Sequence, residues 1–404
     1  MKKVLAMFVM LVAIATLSAA ELDLSACKIY KNVAIANHIT TFIAKDPRRD
    51  IAWINGWNLD LDSGSMSGTA AATSQTSVDF DRNGDAWVVT SAGLLHQYVG
   101  GESKLYTSAD GLPANGKAQT IKVDRGNNKL VVGCDNGVSI VTLDDNENPV
   151  SFENALSNNG IHVVAVYGKF YLALNTHKAF VYDGSAWATY DTTNSTLNGQ
   201  CEDGTVDEDG NFYIATAKSV GVLKVKAILA KFNCSTKVWS TIDITSITDS
   251  LVGACQIRAD WNNQMWCVFG AQQIGAWFGG YLAKIDLATG AVEKSPLDGT
   301  SSKYTWLNQS TCGGKVALGL TVEGDIIIGA NGAVVIGNGP NAVIPRLVPK
   351  VERDGIFQFA GRFNLMGRLE KSFSVKNSAS GMSIMLYRTA EGKIVRAEKT
   401  LIAR

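Results

Sequence analysis

Proline is scarce in this 404-residue sequence, 7 residues against 39 glycines, and histidine is scarcer still at 4. A chain that turns on Gly and Asn rather than Pro suits closely spaced antiparallel hairpins. Charge of one sign is missing too: 37 Lys+Arg offset 37 Asp+Glu, which removes the positive excess of a general nucleic-acid binder. Charged residues are only 18% and hydrophobic residues 46%, so the sequence carries a large core and lacks the composition of disorder. The seven cysteines, at 27, 134, 201, 234, 255, 267 and 312, include no C-x-x-C pair, which excludes the usual zinc and thioredoxin-like spacings. Their odd number leaves at least one thiol free. Cys134 and Cys267 lie in strand-like apolar runs and read as buried thiols, while Cys255 is open to pairing with Cys267 or Cys234.

Lys2 and Lys3 precede an apolar run from Val4 to Leu17 and then the small residues Ser18, Ala19 and Ala20. That order predicts a secretory signal over residues 1–20, cleaved after Ala20. The run is short of the roughly 20 apolar residues that span a bilayer, and no comparable stretch follows. Secretion to the medium or the cell surface is expected.

A short unit recurs through most of the chain: a tight polar turn, an apolar or aromatic residue opening a β run, then a second strand. Its clearest copy is DRNGDAWVVTSAGLLHQY at 81–98. Other copies start at Asp46, Asp124, Ala165, Asp207, Asp260 and Thr321. Aligning the opening residue gives Trp53, Trp87, Leu130, Tyr171, Tyr213, Trp266 and Ile327, with gaps of 34, 43, 41, 42, 53 and 61 residues. Four-stranded propeller blades repeat every ~40 to 50 residues. A hairpin buries one face and cannot do so alone, whereas radial stacking gives each sheet two neighbours and leaves only short edges. The prediction is an all-β fold, a seven-bladed propeller over residues 21–339, with six or eight blades as the alternatives. The opening aromatics should wedge between blades, and CKIYKNVAIA, residues 27–36, should supply the missing outer strand of the last blade.

The phrases DRNGDAWVVTSAGLLHQY, YTSADGLPANGKAQTIKVD (106–124) and DEDGNFYIAT resemble the two-component-regulator type propeller repeat, most clearly over residues 78–161. The resemblance implies a ligand-sensing or interaction platform in the extracytoplasmic space. No kinase or DNA-binding segment follows, so signalling across a membrane does not carry over.

Three of the prolines, Pro340, Pro345 and Pro349, mark residues 340–352 as a linker, since proline-dense stretches form extended spacers. Charge breaks there as well: residues 353–404 hold 10 basic and 4 acidic side chains, against 25 and 33 in residues 21–352. The tail reads as short strands, GIFQFAGRFNL, GRLEKSFSV, MSIMLYRT and IVRAEKTLIAR, and predicts a small β-sandwich-like domain. FNLMGRLE, SASGMSIMLYR and AEKTLIAR resemble the C-terminal sorting domain of the type IX secretion system, with Ser383 where that family usually has Tyr. The resemblance implies export across the outer membrane of a Gram-negative bacterium, with the secretion machinery as a partner. Without a sorting role for the tail, the expected location is the periplasm.

No linear motif names a reaction: G-x-S-x-G and H-E-x-x-H are absent, and the four histidines sit in or beside strand-like segments. Asp207–Asn211 and Asp144–Asn148 resemble fragments of calcium loops but complete no twelve-residue loop with its terminal Glu, so turn chemistry is the preferred reading and no cofactor is expected. Clustered aromatics beside glycine suit a binding loop. GAWFGGYLAKI therefore makes Trp277, Phe278 and Tyr281 candidate ligand contacts, and Trp57, opening a polar loop, is a second candidate. The reading is a monomeric, non-enzymatic binding protein whose partner is a glycan or an envelope protein. The alternative is a polysaccharide hydrolase or lyase using carboxylates such as Asp60, Asp62, Glu202 and Asp203, which must approach within ~5 to 9.5 Å for glycosidase chemistry.

Overall fold

The computed structural model describes residues 20–25, 27–31, 43–54, 57–68, 77–112, 117–221, 224–242, 244, 252–273, 276–297, 303–307, 316–321, 324–330 and 333–337, and the strand backbone of 358–363, 369–370, 381–388 and 394–402. The signal segment before Ala20 and the 340–352 linker lie outside these residues.

Seven blades of antiparallel strands follow one another in sequence order, and Ala20–Glu21 adds a short parallel strand at the edge of the sixth. Blade 1 is built from Ile43–Lys45, Ile51–Ile54, Trp57–Asp60 and Met66–Gly68, and blade 2 from Ser77–Phe80, Ala86–Thr90, Gly93–Gln97 and Ser103–Tyr106. Blade 3 comprises Ala118–Asp124, Lys129–Cys134, Gly137–Leu143 and Pro149–Ser157; blade 4 comprises Val163–Tyr167, Phe170–Leu174, Ala179–Tyr182 and Trp187–Tyr190. Blade 5 holds Gln200–Val206, Asn211–Gly221, Lys224–Asn233 and Val238–Ile242, and blade 6 holds Val252–Ala259, Gln264–Gln273, Ala276–Asp286 and Val292–Pro296. Blade 7 has three strands of its own, Ala317–Leu320, Ile326–Ala330 and Ala333–Ile336. Its fourth comes from the other end of the chain: Lys28–Lys31 pairs antiparallel with Ala333–Ile336, as the sequence predicts for residues 27–36. The innermost strands pack in order around a ring that closes from blade 7 onto blade 1, so the count is seven. Beyond it, Gln358–Phe363, Leu369–Glu370, Gly381–Arg388 and Ile394–Ile402 form a separate four-stranded antiparallel sheet at the four places the tail predicts strands.

Every aligned opening residue sits on the second strand of its blade, and all seven are buried. Trp53 packs with Val78 and Phe80 of blade 2, Trp87 with Ile121 and Leu130 of blade 3, Tyr213 with Ile257 and Met265 of blade 6, and Trp266 with Leu318 and Ile328 of blade 7. The cores therefore lie between blades, and a blade taken alone would expose both faces.

In blades 2, 5 and 6 the turn before the opening residue is held by one buried acid. Asp81 Oδ1 accepts the amides of Asn83 and Asp85, and its Oδ2 accepts the Trp87 indole N–H at 3.0 Å. Asp207 and Asp260 repeat this with Tyr213 Oη at 2.9 Å and Trp266 Nε1 at 2.7 Å. The fourth turn residue takes a left-handed backbone, φ +82° at Gly84 and +79° at Gly210, where a Cβ would also strike the Tyr167 ring at 2.3 Å. Cys134, Cys201 and Cys234 are buried free thiols, so Cys234 does not pair with Cys255. Cys267 is buried too.

Candidate functional site

Where seven innermost strands meet, their outward N–H groups need partners. Polar side chains of one blade supply them to the next. Ser77 Oγ and Asp79 Oδ2 of blade 2 accept the amides of Ile121 and Val123 of blade 3 at 3.3 and 2.9 Å. Asp203 Oδ2 and Thr205 Oγ1 of blade 5 accept those of Ile257 and Ala259 of blade 6 at 2.9 and 3.2 Å. Spacing of two residues places both acceptors on the same face of a strand.

Each of these acids also holds an arginine: Asp79 meets Arg125 Nη2 at 2.7 Å, and Asp203 meets Arg258 Nη1 at 2.6 Å. Burial alone would raise the Asp79 carboxyl; Arg125, Lys122 and the amides of Val123 and Phe80 outweigh it and hold the pKa below the ordinary value. Lys122, on the innermost strand of blade 3, makes no hydrogen bond or ion pair with a described residue. Burial pushes its ammonium below the ordinary lysine range, opposed by Asp79 and reinforced by Arg258 and Arg125. Lys122 also responds electrostatically to Arg258 of blade 6 and Asp203 of blade 5, which are not its neighbours in the ring. Three cations thus face two carboxylates that are already engaged, and the Arg125 Nε–H is buried without a partner. That arrangement favours an incoming anion.

The residues singled out from sequence sit on two blades, Trp57 on blade 1 and Trp277, Phe278 and Tyr281 on one strand of blade 6. Trp57 lies in a strand, not at the start of a loop, paired with Ile54 and Gly68; it is half-buried and its indole nitrogen has no described partner. GAWFGGYLAKI is likewise strand rather than loop, the second half of a long hairpin in which Trp277 and Phe278 stand opposite Gln272 and Ala271. The side chains of Trp277 and Phe278 lie outside the described residues. Tyr281 is half-buried against the cluster between blades 5 and 6, with Lys294 Nζ 4.6 Å from its ring. Asp60 caps its own turn through Asp62 N and Ser63 N on blade 1, whereas Asp203 is committed on blade 5. The carboxylates of the hydrolase reading are not gathered at one place. Asp144 and Asp207, from the calcium-like runs, each use Oδ1 to accept two amides of their own turns.

A cleft between the outer strands of blades 4 and 5, floored by Phe170, Trp187, Tyr190 and Phe232 and rimmed by the Asp183–Lys237 pair, encloses about 90 Å³. That is below the ~300 Å³ at which ligand pockets begin. A further cluster, Asp81, Asp85 and His96 in blade 2, is fully interior. Sequence reasoning missed it and the channel cations alike, because neither is contiguous in the chain.

No family model matches the sequence, and no curated protein does. Solved structures match in fold. The extracellular domain attributed to a hybrid two-component system of B. thetaiotaomicron, BT3049, superposes with a TM-score of 0.54 at 11% identity, over 90% of this chain and 49% of that one. A chain of the mitotic checkpoint complex gives 0.54 at 13% identity, over 83% of this chain and 98% of that one. The extracellular domain of BT4673, a one-component system of the same bacterium, matches at 0.46 and 17% identity over 66% of this chain. This chain spans 49% and 32% of the two bacterial domains' lengths. One fold serving such different settings shows architecture and no more. Among the described residues no helix is long and apolar enough to cross a membrane.

Proposed function

We propose that the chain is a non-enzymatic, extracytoplasmic binding propeller that captures an anionic partner, an acidic glycan or an acidic patch of an envelope protein, at the mouth of its central channel. The observation that carries the reading is the cluster of Lys122, Arg125 and Arg258 around two carboxylates already bonded to arginines and backbone amides, with the buried Arg125 Nε–H unpartnered. The likeness in fold to an extracellular two-component-system domain and the signal-like N-terminus support it. We further propose that the sheet after residue 357 is a sorting domain for export to the cell surface, and that the propeller acts as a monomer.

The mature chain would be applied to arrays of uronate-containing, sulfated and neutral oligosaccharides, with product analysis of whatever is retained. Retention of acidic sugars that weakens with salt and falls at least tenfold in Lys122→Ala, with no products released, is expected. Released oligosaccharides, or retention indifferent to Lys122→Ala, would overturn the reading.

A further inference from the structure

We propose that blade 2 holds a structural divalent transition-metal ion of the Zn²⁺ class, bound by Asp81 Oδ2, Asp85 Oδ2 and His96 Nε2. The three ligand atoms lie within 4.8 Å of one another, and relative exposures are 0%, 7% and 0% for Asp81, Asp85 and His96. Nε2 stands 3.5 Å from Asp81 Oδ2 and 3.7 Å from Asp85 Oδ2. A charge-assisted hydrogen bond would close to ~2.7 to 2.9 Å. Ligands placed tetrahedrally about an ion at ~2.0 to 2.1 Å stand about 3.3 to 3.5 Å apart. Both separations of the imidazole nitrogen are nearer to that spacing than to a hydrogen bond's.

Asp85 keeps Oδ2 clear of hydrogen bonds for that purpose, and Asp81 Oδ2 keeps a second lone pair beside the Trp87 indole N–H. Asp81 Oδ1 is fixed by the amides of Asn83 and Asp85, and Asp85 Oδ1 by the amide of Val99 at 2.7 Å. The Trp87 indole N–H on Asp81 Oδ2 is the outer hydrogen bond that orients a ligating carboxylate. His96 is clamped between Trp87, stacked at 3.8 Å, and Tyr98 at 4.1 Å, and neither ring nitrogen has a hydrogen-bond partner.

Charge leads to the same ion. Among the described residues no lysine or arginine pairs with either acid; Arg82 turns instead to Glu147. Two buried carboxylates next to a neutral imidazole leave two negative charges uncompensated, which a divalent cation cancels. An imidazolium would cancel only one. The Nδ1 side lacks a partner in every one of these states, so it does not separate them. An imidazole ligand favours Zn²⁺ and its neighbours over calcium, which takes oxygen donors.

The sister turns show that the fold does not require this trio. The position of Asp85 is Asn211 in blade 5 and Gln264 in blade 6, and the residue opposite the opening aromatic, His96 in blade 2, is Lys231 and Lys284 there. Those lysines lie over their aromatic rings at 5.4 and 5.9 Å. One acid, one amide and one lysine suffice for the turn; the second acid and the imidazole are additions particular to blade 2.

The test uses the full chain, stripped with EDTA and dialysed against Zn²⁺, with metal counted by mass spectrometry and Co²⁺ used as a spectroscopic probe. The comparison is the double variant Asp85→Asn, His96→Lys, which installs what blade 5 carries and is checked for folding by circular dichroism. One Zn²⁺ per wild-type chain, tetrahedral Co²⁺ bands, and less than a tenth of that uptake in the variant are expected. Equal uptake by both proteins, or none by the wild type, would overturn the site. His96→Gln alone, which keeps both carboxylates, must also lose the tetrahedral bands.

Discussion

Replacing Asp260 with alanine tests the idea that one buried turn acid holds blade 6 together. Its Oδ1 accepts the amides of Asn262 and Gln264 at 2.8 and 3.1 Å, and its Oδ2 accepts the Trp266 indole N–H at 2.7 Å; the acid is fully buried. Hydrogen bonds to a charged acceptor contribute ~1.5 to 3 kcal/mol each, and a buried donor left unpaired costs ~1 to 3 kcal/mol. Three donors lose their acceptor together, and the bonds are not additive, so a loss of about 3 to 5 kcal/mol is expected for Asp260→Ala. Trp266→Phe removes only the indole donor and some packing against Leu318 and Ile328. The double variant should therefore be less damaged than the sum of the singles, by ~1.5 to 3 kcal/mol of coupling. Urea unfolding followed by far-ultraviolet circular dichroism measures all four corners of the cycle. A loss below about 1 kcal/mol for Asp260→Ala, or strict additivity with Trp266→Phe, would refute the argument.

Two further outcomes follow from the same interior. Because its neighbours hold the Asp79 carboxyl below its ordinary value, the acid contributes stability above pH ~3.9 that is lost as pH falls through its lower folded pKa. The difference in urea midpoint between wild type and Asp79→Asn should thus be largest near pH 7 and shrink towards zero in strong acid; a gap that stays constant with pH would contradict the pairing with Arg125. Burial pushes the Cys134, Cys201 and Cys234 thiols up to about 12, so all three should resist a thiol reagent at pH 8 in the folded protein and react on unfolding in urea, and rapid labelling of the native chain would show the interior to be open there.

What the sequence by itself determined is what a single hairpin encodes. The turn acid, the left-handed Gly or Asn and the buried opening residue fall within about seven residues in blades 2, 5 and 6, and the buried opening residue with its β run recurs seven times, which implies a ring. The closing strand was legible because blade 7 lacks an outer strand and Lys28–Lys31 offers one. Loop and strand were harder to separate at Trp57 and at Trp277–Tyr281, since glycine beside aromatics fits a loop and the second half of an extended hairpin equally well. Tertiary structure decided the rest. Lys122, Asp203 and Arg258 come from blades 3, 5 and 6 and act on one another electrostatically only because the ring closes. His96 reaches Asp81 and Asp85 only through strand register, which sets it opposite Trp87; a slip of one residue would turn it to the other face of the sheet and leave two acids with no imidazole between them.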